Sequence, residues 1–180
     1  MNLPIGITLS RLLGVPFVLY LLHHPTPRAR WLALGIFLAA AGTDWLDGYL
    51  ARRLNQITDM GKFLDPLVDK FLVLAPLLAL VELGQVPAWG VFLILARELA
   101  ISGWRINPAL SGGTQIQGAN WWGKVKTVVQ MGAIAVLIAP PLFAQWDLLG
   151  AVGFWVSVAL TLASGVTYIW PQPTDKVKAV

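Results

Sequence analysis

The sequence contains no cysteine and few charged residues, and both absences restrict what this protein can be. None of its 180 residues is cysteine, which excludes disulfide bonds and Cys-ligated zinc or iron–sulfur centres. Charged residues make up 12% of the chain, about half of their usual share. Hydrophobic residues make up 57%, and a water-soluble domain of this composition would have too little polar surface to cover itself. The composition therefore predicts an integral membrane protein.

Long apolar runs separated by turn residues predict an all-α fold of six transmembrane helices, in one domain over residues 1–180. Each run is near the ~20 residues that cross a bilayer. The runs are residues 5–22, 31–52, 62–83, 87–104, 125–144 and 148–170. As an alternative start, residues 2–13 form an amphipathic helix in the membrane interface that leads into the first span. No basic segment precedes the first run and no small-residue cleavage site follows it, so we expect no cleavable signal peptide.

Lysine and arginine flank the predicted spans unevenly, and this asymmetry predicts the orientation. With six spans, both termini lie on one side of the membrane. The basic residues on that side are Arg52, Arg53, Lys62, Arg105, Lys124, Lys126, Lys176 and Lys178. The opposite side has Arg28 and Arg30, so the richer side is predicted to be cytoplasmic. The net charge of +4 bears on orientation and on contact with anionic lipid, and we expect no nucleic-acid partner.

Four aspartates lie inside apolar helical segments, where carboxylates are costly and need partners. Asp44 and Asp47 are spaced i, i+3, and Asp65 and Asp69 are spaced i, i+4, so each pair falls on one helix face. The short connector of residues 53–60 makes the two helices antiparallel neighbours, and their acidic faces can meet. Repulsion between unpaired carboxylates is removed by a metal ion. Four hard oxygen ligands between two helices suit Mg²⁺ or Mn²⁺.

Small residues and an arginine accompany the aspartates. Gly48, Ala51 and Gly61 let a bulky ligand approach the backbone, or let the helices pack closely. Arg52 adds a fixed cation suited to phosphate oxygens. Two metals, small residues and an arginine together predict a site for a pyrophosphate ester and phosphoryl-type transfer. Helix capping or surface salt bridges would explain any one aspartate, but not all four together with these neighbours.

The whole acidic stretch resembles the signature of the CDP-alcohol phosphotransferases at every fixed position. The matching residues are Asp44, Asp47, Gly48, Ala51, Arg52, Gly61, Asp65 and Asp69. The resemblance implies six transmembrane helices, a homodimer, and a CDP-linked donor. It implies that the four aspartates hold two divalent metals, and that Asp69 is also the general base. The donor contacts it implies are Asp44, Asp47, Gly48, Ala51, Arg52 and Gly61, with Thr58 and Thr8 as further candidates.

Four basic residues at the predicted cytoplasmic ends of the fourth and fifth spans form what we call the basic cluster: Arg97, Arg105, Lys124 and Lys126. Such a cluster beside a metal site suits an anionic second substrate, above all a phosphate. Two alternatives remain open from the residues alone. Lys124 and Lys126 are also explained as ordinary flanking charge. Arg97 sits within an apolar helix and can instead form a structural ion pair with Glu98.

The stretches around the basic cluster resemble the phosphatidylglycerophosphate synthases within that superfamily. The matching positions are Ala96, Arg97, Glu98, Ser102, Arg105, Gly123, Lys124, Lys126, Thr127 and Gln130. The start of the chain, with Asn2, Pro4 and Arg11, resembles them as well. This resemblance implies that the acceptor is sn-glycerol 3-phosphate and that the basic cluster binds its phosphate.

The predicted function is transfer of the phosphatidyl group of CDP-diacylglycerol to sn-glycerol 3-phosphate. We expect it in a bacterial-type inner (cytoplasmic) membrane, with the site facing the cytoplasm. The same chemistry on serine, on phosphatidylglycerol for cardiolipin, or on an inositol phosphate is an alternative, and the inositol phosphate also calls for dense positive charge. A divalent-cation transporter lined by the aspartates is a different class. The far halves of the predicted helices lack acids that could continue its path, and a purely structural subunit has no use for four embedded carboxylates.

Overall fold

The computed structural model describes residues 3–24, 26–54, 59–106 and 121–169, and these residues form helices joined by turns, with no strand among them. The helices are α1 (Leu3–Leu22), α2 (Pro27–Leu54), α3 (Asp59–Glu82), α4 (Ala88–Ile106), α5 (Trp121–Ile138) and α6 (Trp146–Ile169). The predicted all-α fold of six helices is confirmed over these ranges. Helix α1 runs without a break, so residues 3–13 do not form a separate helix.

Helix α2 begins at Pro27, earlier than the predicted start at residue 31. The hydroxyl Oγ1 of Thr26 accepts a hydrogen bond from the backbone N–H of Ala29 at 3.2 Å, which is the geometry of a helix N-cap. Proline is well placed at the first helical position, because the N–H that it lacks would have no partner there. The Thr-Pro pair therefore starts the helix rather than ending a loop.

Helix α5 ends at Ile138, and the predicted span that continued to residue 144 is wrong at this end. Pro140 and Pro141 follow, and a proline can neither donate the helical hydrogen bond nor fit against the preceding turn. The indole Nε1 of Trp146, the first residue of α6, donates to the carbonyl of Val136 at 2.9 Å. It thereby satisfies one of the carbonyls left open at the end of α5.

The turn between α3 and α4 is closed by Gly84, whose φ is +69°. The N–H of Gln85 donates to the carbonyl of Leu80 at 2.9 Å, and the N–H of Gly84 donates to Val81 at 2.9 Å. This pair of bonds is the Schellman helix end, which needs a left-handed residue after the last helical turn. Glycine adopts that conformation without a steric penalty.

The core lies where the helices meet. Helix α1 packs along α2 and α3, α5 packs along α6, and α4 packs against α3 and α6. Each helix contributes fully buried apolar side chains, among them Val18, Phe37, Leu72, Ile94, Ile134 and Phe154. Long apolar side chains also cover the outside of the bundle, including Phe17, Leu38, Phe92 and Leu148. A surface of this kind is suited to contact with lipid chains.

Of the helices described, one contains a segment long and apolar enough to cross a bilayer by length and composition, Trp146–Gly165 in α6. Shorter apolar segments occupy Arg11–Leu22 in α1 and Val125–Ile138 in α5. The six described helices agree in number with the sequence prediction. One of them meets this criterion of length and composition for a membrane span.

Candidate active site

The predicted donor and metal residues lie on three helices. Thr8 is on α1, residues 44–52 are on α2, and Gly61, Asp65 and Asp69 are on α3. Because both acidic stretches are helical, Asp44 and Asp47 stand one turn apart, and so do Asp65 and Asp69. Thr58 lies outside the described residues, and of the four aspartates only Asp69 has a described side chain. Among described side chains no group of three metal-binding residues forms, and the predicted four-carboxylate set is not tested by that finding.

Asp69 is held by an arginine from the first helix. The Nη1 atom of Arg11 lies 3.1 Å from Oδ1 of Asp69, and the two residues are 58 positions apart in the chain. The arginine side chain is 1% exposed, whereas that of Asp69 is 43% exposed. The buried guanidinium of Arg11 therefore holds one carboxylate oxygen of Asp69, the predicted base. The Asp69 side chain stays partly exposed and accessible to a reactant. Sequence reasoning gave Arg11 no role, although an arginine inside an apolar run is itself a signal.

The residue after Asp69 connects α3 to α4. The ammonium of Lys70 donates to the hydroxyl of Ser102, and that hydroxyl donates to the backbone carbonyl of Glu98 at 2.7 Å. Sequence reasoning did not single out Lys70. The contact joins α3 to α4 one residue after Asp69.

A second polar group, which we call the α4–α6 network, joins three helices through Arg97, Glu98, Lys126 and Ser164. Arg97 Nη1 lies 3.2 Å from Oε1 of Glu98, and its Nη2 donates to Ser164 Oγ at 3.0 Å. Lys126 donates to the same oxygen of Glu98. The Arg97–Glu98 ion pair that the sequence left open is thus present, and a lysine from α5 joins it. The other members of the basic cluster, Arg105 and Lys124, lie on α4 and α5, with side chains outside the description.

Buried polar residues continue inward from this network along the α5–α6 contact. Helices α5 and α6 pack antiparallel, since Gly153 lies against Ala133 and Gly150 against Leu137. One turn nearer the network on each helix are Gln130 of α5 and Ser157 of α6, and both are buried. Gln130 is one of the positions at which the sequence resembles the phosphatidylglycerophosphate synthases.

Two buried polar atoms on this contact, Nε2 of Gln130 and Oγ1 of Thr161, meet no hydrogen-bond partner in the described part of the chain. Buried polar groups in proteins are nearly always satisfied. A water molecule or a polar substrate group therefore suits this place. Together with the ion pairs of the α4–α6 network, these atoms make the interior of the bundle polar where α5 meets α6.

Comparison with known proteins identifies the family of this chain. A family model for CDP-alcohol phosphatidyltransferase matches residues 1–163. The chain is 38% identical over 185 residues to the CDP-diacylglycerol–glycerol-3-phosphate 3-phosphatidyltransferase of Bacillus subtilis (strain 168), covering 93% of each protein. It is 41% identical over 190 residues to the Pseudomonas fluorescens protein of that name, covering 100% of this chain and 96% of the relative. The Escherichia coli (strain K12) protein of that name is 38% identical over 179 residues, with 97% and 96% covered. With its acidic motif on α2 and α3 and this nearly full-length match, the chain belongs to the CDP-alcohol phosphatidyltransferase family.

Proposed function

We propose that this protein transfers the phosphatidyl group of CDP-diacylglycerol to sn-glycerol 3-phosphate, which gives phosphatidylglycerophosphate and CMP. The observation that carries the proposal is the 38–41% identity, over nearly the whole chain, to transferases named for this reaction. The residues agree with such a reaction in kind, because the sequence offers acidic residues for a pyrophosphate donor and basic residues for an anionic acceptor.

The metal-binding part of the proposal concerns Asp44, Asp47, Asp65 and Asp69. Their helical positions put each pair on one face of its helix, and carboxylate oxygens are the ligands that Mg²⁺ and Mn²⁺ prefer. The four carboxylates therefore fit the ligands of a two-metal site. When bound, the metals supply positive charge that neutralises the pyrophosphate and the departing CMP.

Asp69 is the proposed general base. Its partly exposed carboxylate accepts the proton of the acceptor's primary hydroxyl as that oxygen attacks the β-phosphorus. The bond from this phosphorus to the CMP oxygen breaks, and CMP leaves. Arg11 holds the carboxylate in place during the step, and the fixed cation of Arg52 binds the pyrophosphate. Gly48, Ala51 and Gly61 leave room for the donor, and Thr8 and Thr58 are its further proposed contacts.

The basic cluster of Arg97, Arg105, Lys124 and Lys126 is the proposed binding place for the acceptor's phosphate. A phosphomonoester carries nearly two negative charges, and charge-assisted hydrogen bonds to arginine and lysine are its strongest contacts in proteins. Lys70, the residue after Asp69, donates to Ser102 of α4, the helix that carries Arg97 and Arg105. This contact between α3 and α4 supports a position of the cluster near Asp69.

We further propose six membrane spans, a homodimer, and a site that opens to the cytoplasm of a bacterial inner membrane. The bacterial sources of the relatives and the excess of Lys and Arg on one side support the location and the orientation. The outward apolar side chains of the bundle support the spans. The dimer rests on the family resemblance.

The test is product identification. Purified protein receives CDP-diacylglycerol and Mg²⁺ or Mn²⁺ with one acceptor at a time: glycerol 3-phosphate, an inositol phosphate, serine, or phosphatidylglycerol. Mass spectrometry of the lipid should show phosphatidylglycerophosphate with glycerol 3-phosphate and no comparable product with the others. The variant Asp44→Ala is the inactive control. A faster reaction with any other acceptor would overturn the acceptor assignment, and release of CMP with none of them would overturn the transferase function itself.

A further inference from the structure

The carboxylate of Glu98 joins two members of the basic cluster. Its Oε1 atom accepts from Lys126 of α5 and lies 3.2 Å from Nη1 of Arg97. Consecutive residues of a helix point about 100° apart, so the side chains of Arg97 and Glu98 must bend toward each other to make this contact. Here Arg97 reaches toward Glu98 with one nitrogen and toward Ser164 of α6 with the other. Arg97 and Glu98 of α4 are thus linked to both α5 and α6.

Both cations, Arg97 and Lys126, are largely buried and therefore need a counter-charge. The side chain of Lys126 is 7% exposed and that of Arg97 is 11% exposed. Placing an ammonium or a guanidinium in such surroundings without a counter-charge is strongly unfavourable. Glu98 supplies a counter-charge that both cations share.

A separate contact joins α4 to α3 beside Glu98. The backbone carbonyl of Glu98 accepts from Ser102, whose hydroxyl accepts from Lys70 of α3. This contact fixes how the two helices pack and does not involve the side chain of Glu98. For a small acceptor, the phosphate must lie at a fixed place while the hydroxyl meets the base, and small displacements lose much of the rate advantage of proximity.

We propose that Glu98 is a positioning residue, which holds Arg97 and Lys126 charged and in place for the phosphate of the acceptor. This inference rests on the proposed function and deepens its acceptor site. Glu98 does not contact the reacting atoms in this arrangement; it acts through its two partners. A purely structural ion pair predicts a loss of stability on substitution but no selective change in acceptor binding.

The experiment compares Glu98→Gln and Glu98→Asp with the unmodified enzyme. The glutamine removes the charge at nearly constant shape, and the aspartate keeps the charge but places it one methylene short. The matched control is Glu82→Gln, an exposed acid at the other end of the bundle. KM for glycerol 3-phosphate, KM for CDP-diacylglycerol, kcat, thermal stability, and inhibition by inorganic phosphate are measured on each.

We expect Glu98→Gln to raise the acceptor KM by roughly tenfold or more, since charge-assisted contacts are weakened. The inhibition constant of inorganic phosphate should rise in parallel, and the donor KM should stay within about twofold, because remote contacts bind the donor. Glu98→Asp should show a smaller change in the same direction, and Glu82→Gln none. If Glu98→Gln does not fold, Glu98→Asp decides by the same two constants.

An unchanged acceptor KM in a folded variant would overturn the inference, and so would a lowered KM, which would mean that Glu98 competes with the phosphate. A failure of the proposed function looks different, because the unmodified enzyme would then not use glycerol 3-phosphate. If the unmodified enzyme uses it and the Glu98 variants behave like Glu82→Gln, only the positioning role fails.

Discussion

Arg11 of α1 and Asp69 of α3 form an ion pair with Nη1 3.1 Å from Oδ1, at a point where the arginine is almost fully buried. We expect Arg11→Met to lower both thermal stability and kcat, because an ion pair with a buried member is broken and the proposed base loses its partner. The lost charge-assisted contact corresponds to about 1.5–3 kcal/mol. Thermal unfolding in detergent and steady-state kinetics measure the two effects. Arg28→Met, at an exposed position at the start of α2, is the control and should leave both thermal stability and kcat unchanged. Full stability and full kcat in Arg11→Met would show that the pair has no role.

Asp69→Asn should abolish turnover while binding of CDP-diacylglycerol largely survives. The amide cannot accept the proton, but it still provides an oxygen at nearly the same place. Asp44→Ala should instead lose metal and donor binding together. Titration of each variant with donor and Mn²⁺ separates the two cases. A near-normal rate for Asp69→Asn at neutral pH would remove Asp69 from the role of base.

His23, just after α1, should make stability depend on pH. Its Nδ1 lies 2.8 Å from the carbonyl of Leu19 and its Nε2 lies 3.0 Å from Oε2 of Glu82. Both partners are acceptors, so the doubly protonated ring fits best. The Leu19 carbonyl first, and then Glu82, raise the pKa of His23 above its usual value of 6.5.

Because the folded-state pKa is the higher one, the stabilisation is fully present below the unfolded value and is lost as the pH rises through the raised value. The melting temperatures of the unmodified protein and of His23→Gln, compared from about pH 5.5 to about pH 8.5, should therefore converge as the pH rises. Glu82→Gln should reduce the convergence. A difference that stays constant or grows with pH would contradict the assignment.

Gly90 of α4 should not tolerate a side chain. A Cβ atom there would lie 2.7 Å from Cε1 and from Cζ of Phe154, whose side chain is buried in the core. We expect Gly90→Ala to lower the free energy of unfolding by about 1–3 kcal/mol. Gly132→Ala is the matched control, since it has nothing within 4 Å. That control should be neutral, or stabilising by about 0.5–1 kcal/mol, because alanine favours the helix. Equal melting temperatures for the two variants would contradict the close contact.

The proposed topology can be tested with single cysteines, because the chain has none of its own. A cysteine at Leu83, in the exposed turn after α3, should react with an impermeant maleimide added from outside the cell. A cysteine at Thr58, in the connector before α3, should react only after the membrane is opened. The reverse labelling pattern would invert the orientation of all six spans.

The sequence predicted the helices well, since apolar runs and turn residues are local signals. It placed the end of α5 too late because the apolar run continues past Ile138, whereas Pro140 and Pro141 stop the helix. The predicted start of the second span at residue 31 is too late, because Thr26 caps α2 and Pro27 is its first residue. Contacts between distant residues were beyond such reasoning. The pair of Arg11 with Asp69 depends on how α1 packs against α3, and only the Arg97–Glu98 half of the α4–α6 network joins chain neighbours.

The polar layer between α5 and α6 stops partway through the bundle. From Gln130 toward the end of α5, the facing residues described on the two helices are small or apolar: Ala133, Leu137, Gly150 and Gly153. These residues leave little space between the helices and offer no oxygen or nitrogen side chain to a passing ion. A charge that enters from the end carrying Asp69 and Glu98 meets a layer of low dielectric constant, in which an unpaired ion is very unfavourable. This apolar layer therefore confines charged groups to the end of the bundle that carries Asp69 and Glu98.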